Sequence, residues 1–395
     1  MSPSPTSPDH GVGRLVDEGY DAFLVDDLLL IHGVPHVGPD GRVRHGTLAI
    51  MASFAGNELV SPRLHLAWWA GAEPCDASGR RLQTLAIHAG ERGIAPGLIA
   101  TRMLCIKPLG REFADYHEYA TTYVAMLAAP AGTTGRRCAS SGDRVASRAA
   151  AGDPFRYVDT ASSRAGTSAL ADGIRGLTIG IVGLGGTGSY VLDLVAKCPV
   201  AVINLYDADR FEQHNAFRCP GAIGIEELRR ERPKVEVLSE AYSAMRHGLV
   251  PHRVAIDEGT APLLDVNDFV FVCVDDGASR APILGRMRRR GIPGVDVGMG
   301  LSIADDRLVG AVRTTLLRPG EPDRGLVPLR TGTADVYRDN VQIAELNALN
   351  AALAVLEWKR FAGFAGAPDD TGHSVLVVET GSLHRLARNG CDPLD

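Results

Sequence analysis

The chain has 395 residues, 45% of them hydrophobic and 22% charged, with a formal net charge of -6. At this length the composition suffices for a sizeable core and for two domains, while the acidic balance argues against a nucleic-acid partner, which would need a basic face. No apolar run approaches the roughly 18 residues of a membrane helix, and the opening "MSPSPTSPDH" has no basic segment followed by an apolar core, so neither export nor a membrane partner is expected.

Residues 1–10 are rich in Pro and Ser and are expected to be disordered. From about 19 to 128, short apolar runs such as "AFLVDDLLLIHGV", "GTLAIMASF" and "LHLAWWAG" alternate with Gly, Pro and Asp. This pattern predicts strands and turns, hence a β-rich α+β domain over 1–130, with a helix near "ADYHEYATTYVAMLA". Trp68 and Trp69 adjoin at a strand-like position, so they are expected on opposite faces, one of them exposed for a protein partner. His32, His36, His65, His88 and His117 are spaced too irregularly to suggest a metal site with Cys75 and read as surface or core histidines. Residues 131–154 contain Val145 as their one large apolar residue and are expected to be a flexible linker.

Over 155–395, apolar runs alternate with helical patterns in the order of a parallel α/β sheet. The strands are "LTIGIVG", "AVINLYDAD", "DFVFVCVDD" and "GVDVGMG", and a helix is read in "SYVLDLVAKC". The last long element, "NVQIAELNALNAALAVLEWKRFAG", carries Ile343, Leu346, Leu349, Leu353 and Leu356 at helical spacing, with Asn347 and Asn350 close to that stripe. The stripe is expected to pack into the core, with a subunit interface as the second role. The seven cysteines (Cys75, Cys105, Cys138, Cys198, Cys219, Cys273 and Cys391) form no C-x-x-C pair and leave an odd one over, which suits free thiols in a reducing cytoplasm.

Gly183, Gly185 and Gly188 form a G-x-G-x-x-G pattern between the first strand and the first helix of this region. Glycine is needed there where the chain turns tightly and where phosphate must approach amide N–H groups. Asp207 ends the next strand, where an acid accepts from ribose hydroxyls. To this point a nicotinamide dehydrogenase fits, as does a loop shaped only for helix–strand packing. Downstream, however, Asp209, Asn215 and Arg218 share one short segment, Lys234 follows, and Asp275 with Asp276 ends the strand "FVFVCVDD". Strand ends of a doubly wound sheet converge on one edge. Two cations and further carboxylates at that edge suit a triphosphate with its metal better than a dinucleotide. Residue by residue the alternatives stay open: Asp275 as a helix cap, Asp209 as a turn residue, Asn215 as a loop brace, Arg218 and Lys234 as solvated charges.

The ordered set "GLGGTG", Asp207-x-Asp209, Asn215-x-x-Arg218, Lys234 before an apolar helix and "VDD" at Asp275 resembles the ThiF/MoeB superfamily, the adenylating domain of ubiquitin-activating-type enzymes, over roughly 155–360. The resemblance implies a doubly wound, Rossmann-like, mainly parallel sheet in a homodimer. It also implies ATP-dependent adenylation of the carboxy-terminal glycine of a ubiquitin-like carrier protein. Gly183, Gly185, Gly186 and Gly188 would then form the phosphate loop, with Gly185 and Gly186 open to the phosphates, and Asp207 would hold the ribose, with Asp209 and Asn215 beside it. Arg218 and Lys234 would neutralise phosphate, joined by Arg164 from a second subunit, and Asp275 would bind Mg²⁺.

Departures from the family pattern narrow the expectation. The missing C-x-x-C pairs imply no structural zinc, and no cysteine lies between Ser279 and Asn389. Cys273 reads as a buried strand residue, Cys391 as a tail thiol, and Cys219 adjoins Arg218, a cation able to lower its pKa. Adenylation without a stable enzyme thioester is the favoured reading. The amino-terminal region, with "PCDASG" and "ADYHEYATTY", resembles an uncharacterised module ahead of this domain in bacterial ubiquitin-like conjugation systems, a resemblance that supplies an association and no activity. As an accessory domain it is expected to recruit the carrier or a conjugating enzyme. Other readings are adenylation of a small-molecule or tRNA-linked carboxylate, an NAD-dependent oxidoreductase and a non-catalytic scaffold.

Overall fold

The structure, a computed structural model, describes residues 10–83, 85–95, 97–106, 111–132, 153–165, 167, 170–321, 325–329, 341–364 and 371–387. The chain divides into two compact units, Met1–Leu170 and Ala171–Asp395. Most of the linker expected over 131–154, and residues 1–9, lie outside the described residues.

Among the described residues the first unit contains eight strands: β1 (Asp21–Val25), β2 (Leu28–Val37), β3 (Val43–Met51), β4 (Ser53–Ala55), β5 (Glu58–Val60), β6 (Leu66–Ala70), β7 (Ala86–Ala95) and β8 (Leu98–Cys105). Six form an antiparallel sheet in the order β1-β2-β3-β6-β8-β7, and β4 with β5 makes a separate two-stranded hairpin. Its helices are α1 (Val12–Asp17), α2 (Tyr116–Ala128) and α3 (Thr160–Arg164). Asp115 starts α2 by accepting from Glu118 N at 2.8 Å.

Helix α2 buries Tyr116, Tyr119 and Tyr123 in one cluster with Trp69. The phenol groups satisfy backbone at the cluster's rim: Tyr116 Oη accepts from Ser53 N at 2.7 Å, and Tyr119 Oη donates to Leu66 O at 2.8 Å. Trp68 belongs to a second cluster, with Val25, Leu30 and Ile94. The two tryptophans therefore point to opposite faces, as strand alternation requires. Neither is exposed, which corrects the expectation of a free indole: Trp69 is fully buried, and Trp68 is half-buried with the Arg92 guanidinium 5.4 Å from its ring centroid. His32 and His36 are core residues, the first bonded through Nδ1 to Thr47 Oγ1 at 2.7 Å, the second edge-on to Trp69.

In the second unit, β9 (Thr178–Val182) leads into α4 (Gly186–Ala196) and then β10 (Val202–Tyr206). Helices α5 (Gln213–Ala216), α6 (Ile225–Arg229) and α7 (Lys234–Ser243) precede β11 (Leu249–His252) and β12 (Phe269–Val272). After these come α8 (Gly277–Arg290), β13 (Gly294–Ala304), β14 (Arg307–Leu317), α9 (Ala344–Phe361), β15 (Thr371–Val377) and β16 (Ser382–Ala387). The sheet order is β11-β10-β9-β12-β13-β14-β15-β16. The first five strands are parallel, and the last three add antiparallel.

Among the parallel strands the chain winds outward from β9 to one side through β10 and β11, then crosses to β12 and β13 on the other. That reversal beside β9 opens a crevice at the strands' carboxyl ends. The strands read as continuous apolar runs because both faces are covered. Ile179, Ile181, Phe269 and Phe271 pack with Val191 of α4 and Trp358 of α9, while Val182, Val270 and Val272 pack with Ile283 and Met287 of α8. The antiparallel extension begins at Asp305 and Asp306, whose φ values of 49° and 57° make the tight hairpin turn joining β13 to β14.

Helix α9 corrects the expected stripe. Its buried residues are Asn347, Asn350, Ala351, Ala354, Val355 and Trp358, whereas Leu349 and Leu356 are exposed. Small and polar side chains allow the helix to lie close against α4, where a leucine face would hold it away; the side chain of Asn347 reaches the backbone of Gly186.

Candidate functional site

The glycine loop follows β9, and its members meet different constraints. Gly183 has φ 86°, and a Cβ there would come 2.8 Å from Cys273 O. At Gly188 a Cβ would fall 1.9 Å from Gly183 O, so this position serves the close packing of helix on strand. Gly185, the N-cap of α4, has ordinary φ and open space where a Cβ would be. It leaves the first amides of α4, which have no intrahelical acceptors, accessible to an anion.

Asp207 follows β10 and is held by two backbone donors, Leu184 N at 2.6 Å and Asp209 N at 2.8 Å. Burial pushes its carboxyl above the ordinary range, opposed by Lys234. Lys234, buried at the start of α7 behind Pro233, places Nζ 2.7 Å from Asp209 Oδ2 and 4.0 Å from Asp207 Oδ1. Asp209 thus does more than form a turn: it fixes the ammonium group. Asn215 braces its loop, with Oδ1 accepting from Glu212 N at 2.9 Å in a capping box, and its carbonyl accepts from Arg218 N at 3.0 Å. Arg218 is half-buried, and its Nε is buried with no hydrogen-bond partner among the described residues.

After β12, Asp276 rather than Asp275 caps α8, accepting from Ala278 N at 3.2 Å and Ser279 N at 3.0 Å. The exposed Asp275 carboxylate is therefore not committed to the cap. Arg280 and Asp296, which the sequence reading did not single out, shape this strand end. Arg280 donates through Nε to Asp296 Oδ1 at 3.1 Å and through its terminal nitrogens to the carbonyls of Val274, Asp275 and Val297. Asp296 is 0% exposed and is also paired with Arg313. The available signal was a carboxylate inside the apolar strand "GVDVGMG", a position that demands a cationic partner.

Gly183, Gly185, Gly186, Asp207, Asp209, Asn215, Arg218, Lys234 and Asp275 line one cleft of about 560 Å³ at the sheet's carboxyl edge. Gly188 lies beneath it as a packing residue, and Arg164, the last residue of α3, belongs to the first unit. The cysteines are placed differently from expectation. Cys219 is buried, and burial pushes its thiol up, opposed only by a hydrogen bond with its own backbone. Cys273 follows β12 instead of sitting within it and lines the cleft; burial, with Asp296 nearby, pushes its thiol up as well. Cys391 lies outside the described residues.

The described residues contain no group of three or more His, Cys, Asp or Glu poised to hold a metal. A Mg²⁺ bound with phosphates needs only one or two protein carboxylates, and the exposed Asp275 fits that donor set.

Residues 162–314 match the model of the ThiF family, and residues 10–160 match a domain of unknown function, DUF6791. The chain is similar to ubiquitin-like modifier-activating enzyme 5 of Drosophila ananassae, 23% identical over 200 residues that make up 48% of this chain and 49% of that protein. It thus spans about half the length of that curated relative. Similar solved structures include E. coli MccB, 16% identical, covering 55% of this chain and 64% of that one with a TM-score of 0.46. E. coli MccB with ATP is also 16% identical, covering 57% and 68% with a TM-score of 0.43. Residues 162–314 are therefore a ThiF family domain, preceded by a DUF6791 domain.

Proposed function

We propose that the second unit is an ATP-dependent adenylating enzyme that activates a carboxylate, and that its substrate is the carboxy-terminal glycine of a ubiquitin-like protein. The observation that carries this reading is the unpartnered Arg218 Nε beside the buried Lys234 and the open start of α4, all in one cleft. A buried guanidinium nitrogen left unbonded among the described residues lowers stability unless an anion completes it.

In the reaction, a substrate carboxylate oxygen attacks the α-phosphorus of ATP. The bond from that phosphorus to the bridging oxygen breaks, and pyrophosphate leaves from an acyl-adenylate. A terminal carboxylate, with a pKa of roughly 3.5, is already ionised at neutral pH. The protein's task is therefore positioning and charge neutralisation rather than proton removal. Asp207, held by Leu184 N and Asp209 N, accepts from the ribose hydroxyls. Gly185 and Gly186 admit the phosphates to the α4 amides, and Arg218 and Lys234 neutralise their oxygens, Lys234 exchanging Asp209 for phosphate. Asp275 would hold Mg²⁺, which supplies further neutralisation of the leaving pyrophosphate.

Arg164 completes the phosphate site from the other protomer of a homodimer, and the DUF6791 unit recruits the carrier or a conjugating enzyme. The raised pKa values of buried Cys219 and of half-buried Cys273 favour release of the adenylate to a separate thiol-bearing partner. The test is carboxylate-dependent ATP–pyrophosphate exchange with carriers ending in glycine. Arg218→Ala should lower exchange roughly 100-fold with the melting temperature kept. Full exchange by the folded variant removes Arg218 from the mechanism, and exchange driven by a small carboxylate but by no carrier replaces the protein substrate with a small one.

A further inference from the structure

Buried polar groups nearly always find partners, so one left open beside a cleft marks where a ligand completes the bonding. Asn347 is such a residue. It is 1% exposed, its Oδ1 accepts from Thr187 Oγ1 at 2.9 Å, and its Nδ2 has no partner among the described residues. Helix α9 sets that amide against the start of α4, so closely that a Cβ on Gly186 would come 2.1 Å from Nδ2. Asn347 and Gly186 both line the cleft that holds Arg218 and Lys234. Asn350, one turn further along α9, is the contrast: its Nδ2 donates to Gly298 O at 3.2 Å and its Oδ1 accepts from Thr314 Oγ1 at 3.2 Å. Both ends of that amide hold the helix to the sheet, whereas among the described residues only one end of Asn347 is bonded.

We propose that Asn347 Nδ2 is a hydrogen-bond donor to the nucleotide phosphate resting on the Gly185–Gly186 loop. The inference rests on the adenylation reading and adds to it a contact from the last helix of the unit. Its chemistry suits phosphate rather than ribose. Asp207 offers an acceptor for hydroxyls, while Asn347 offers a donor next to helix amides that already favour an anion. Thr187 fixes the amide's orientation, so the NH₂ group faces the ligand before it arrives. Gly186 is needed because any side chain there would occupy the same space as that group.

The test is calorimetric binding of AMP and of adenosine to the full chain, because the two differ only in the phosphate. The wild-type protein should bind AMP more tightly. Asn347→Leu should weaken AMP roughly tenfold or more, as expected for a hydrogen bond to a charged group, and leave adenosine largely unaffected. A purely structural role would move both ligands together. Should Asn347→Leu fail to fold, Asn347→Asp keeps the shape and the acceptor for Thr187, and it should also lower the AMP-to-adenosine ratio. A wild-type ratio in the folded variants overturns the proposal. A wild-type protein that binds AMP no better than adenosine removes the phosphate site itself, and the adenylation reading with it.

Discussion

Gly183 and Gly185 stand two positions apart and answer different needs. At Gly183 the backbone has φ 86°, and the neighbouring Cys273 carbonyl leaves no room for a methyl group. Gly183→Ala should therefore destabilise the unit by about 1–3 kcal/mol, measured by urea unfolding. At Gly185 the φ of -70° and the open space beyond give a methyl no clash. Gly185→Ala should leave stability within about 0.5 kcal/mol while weakening ATP binding, because the methyl shields the amides that the phosphate approaches. Equal effects of the two substitutions on stability would contradict this division. The motif made these glycines legible as one candidate phosphate loop; which of them answer a steric demand depended on Cys273, just after β12, and on Asn347 of α9. The same limit applied at Asp275 and Asp276. The sequence showed an acid available for a cap or a metal, and only the geometry of α8 assigns the cap to Asp276.

Among the elements, α9 shows why periodicity was an incomplete guide. Five large aliphatic residues recur at helical spacing and define a stripe, yet the buried face centres on Ala351, Ala354 and two asparagines. Hydrophobic size predicts burial when a helix packs at ordinary distance; here the helix approaches α4 closely and lines a polar cleft, so small and amide side chains win. Ala351→Leu should accordingly lower stability by about 1–3 kcal/mol through overpacking. Leu349→Ala, at an exposed position, should change it by no more than about 0.5 kcal/mol. The reverse order in a thermal melt would restore the leucine stripe as the buried face. Strands β9, β10, β12 and β13 were legible because buried parallel strands are short continuous apolar runs. The hairpin into β14 was not, since two consecutive aspartates at positive φ are a weaker turn signal than Asn-Gly or Asp-Gly.

At the scale of the whole molecule, two kinds of information separate cleanly. The alternation of strands and helices carried the architecture of the second unit, and the order of charged residues after β10, α5 and β12 carried the site. The first unit offered alternation without a chemical constellation. Its fold class could be read, but Trp69, His32 and His36 proved to be core residues while His45 and His88 are exposed, and its role is proposed from the domain it precedes. What holds the account together is the claim that the charges at the sheet's carboxyl edge exist to receive a triphosphate. The most direct measurement is a calorimetric titration of the full chain with ATP in the presence of Mg²⁺, set beside one with NADH and repeated on Arg218→Ala. The account predicts that ATP binds, that NADH does not compete, and that the variant loses most of the ATP affinity while melting no lower than the parent. Binding of NADH in preference to ATP, or ATP affinity unchanged by the loss of Arg218, would contradict it.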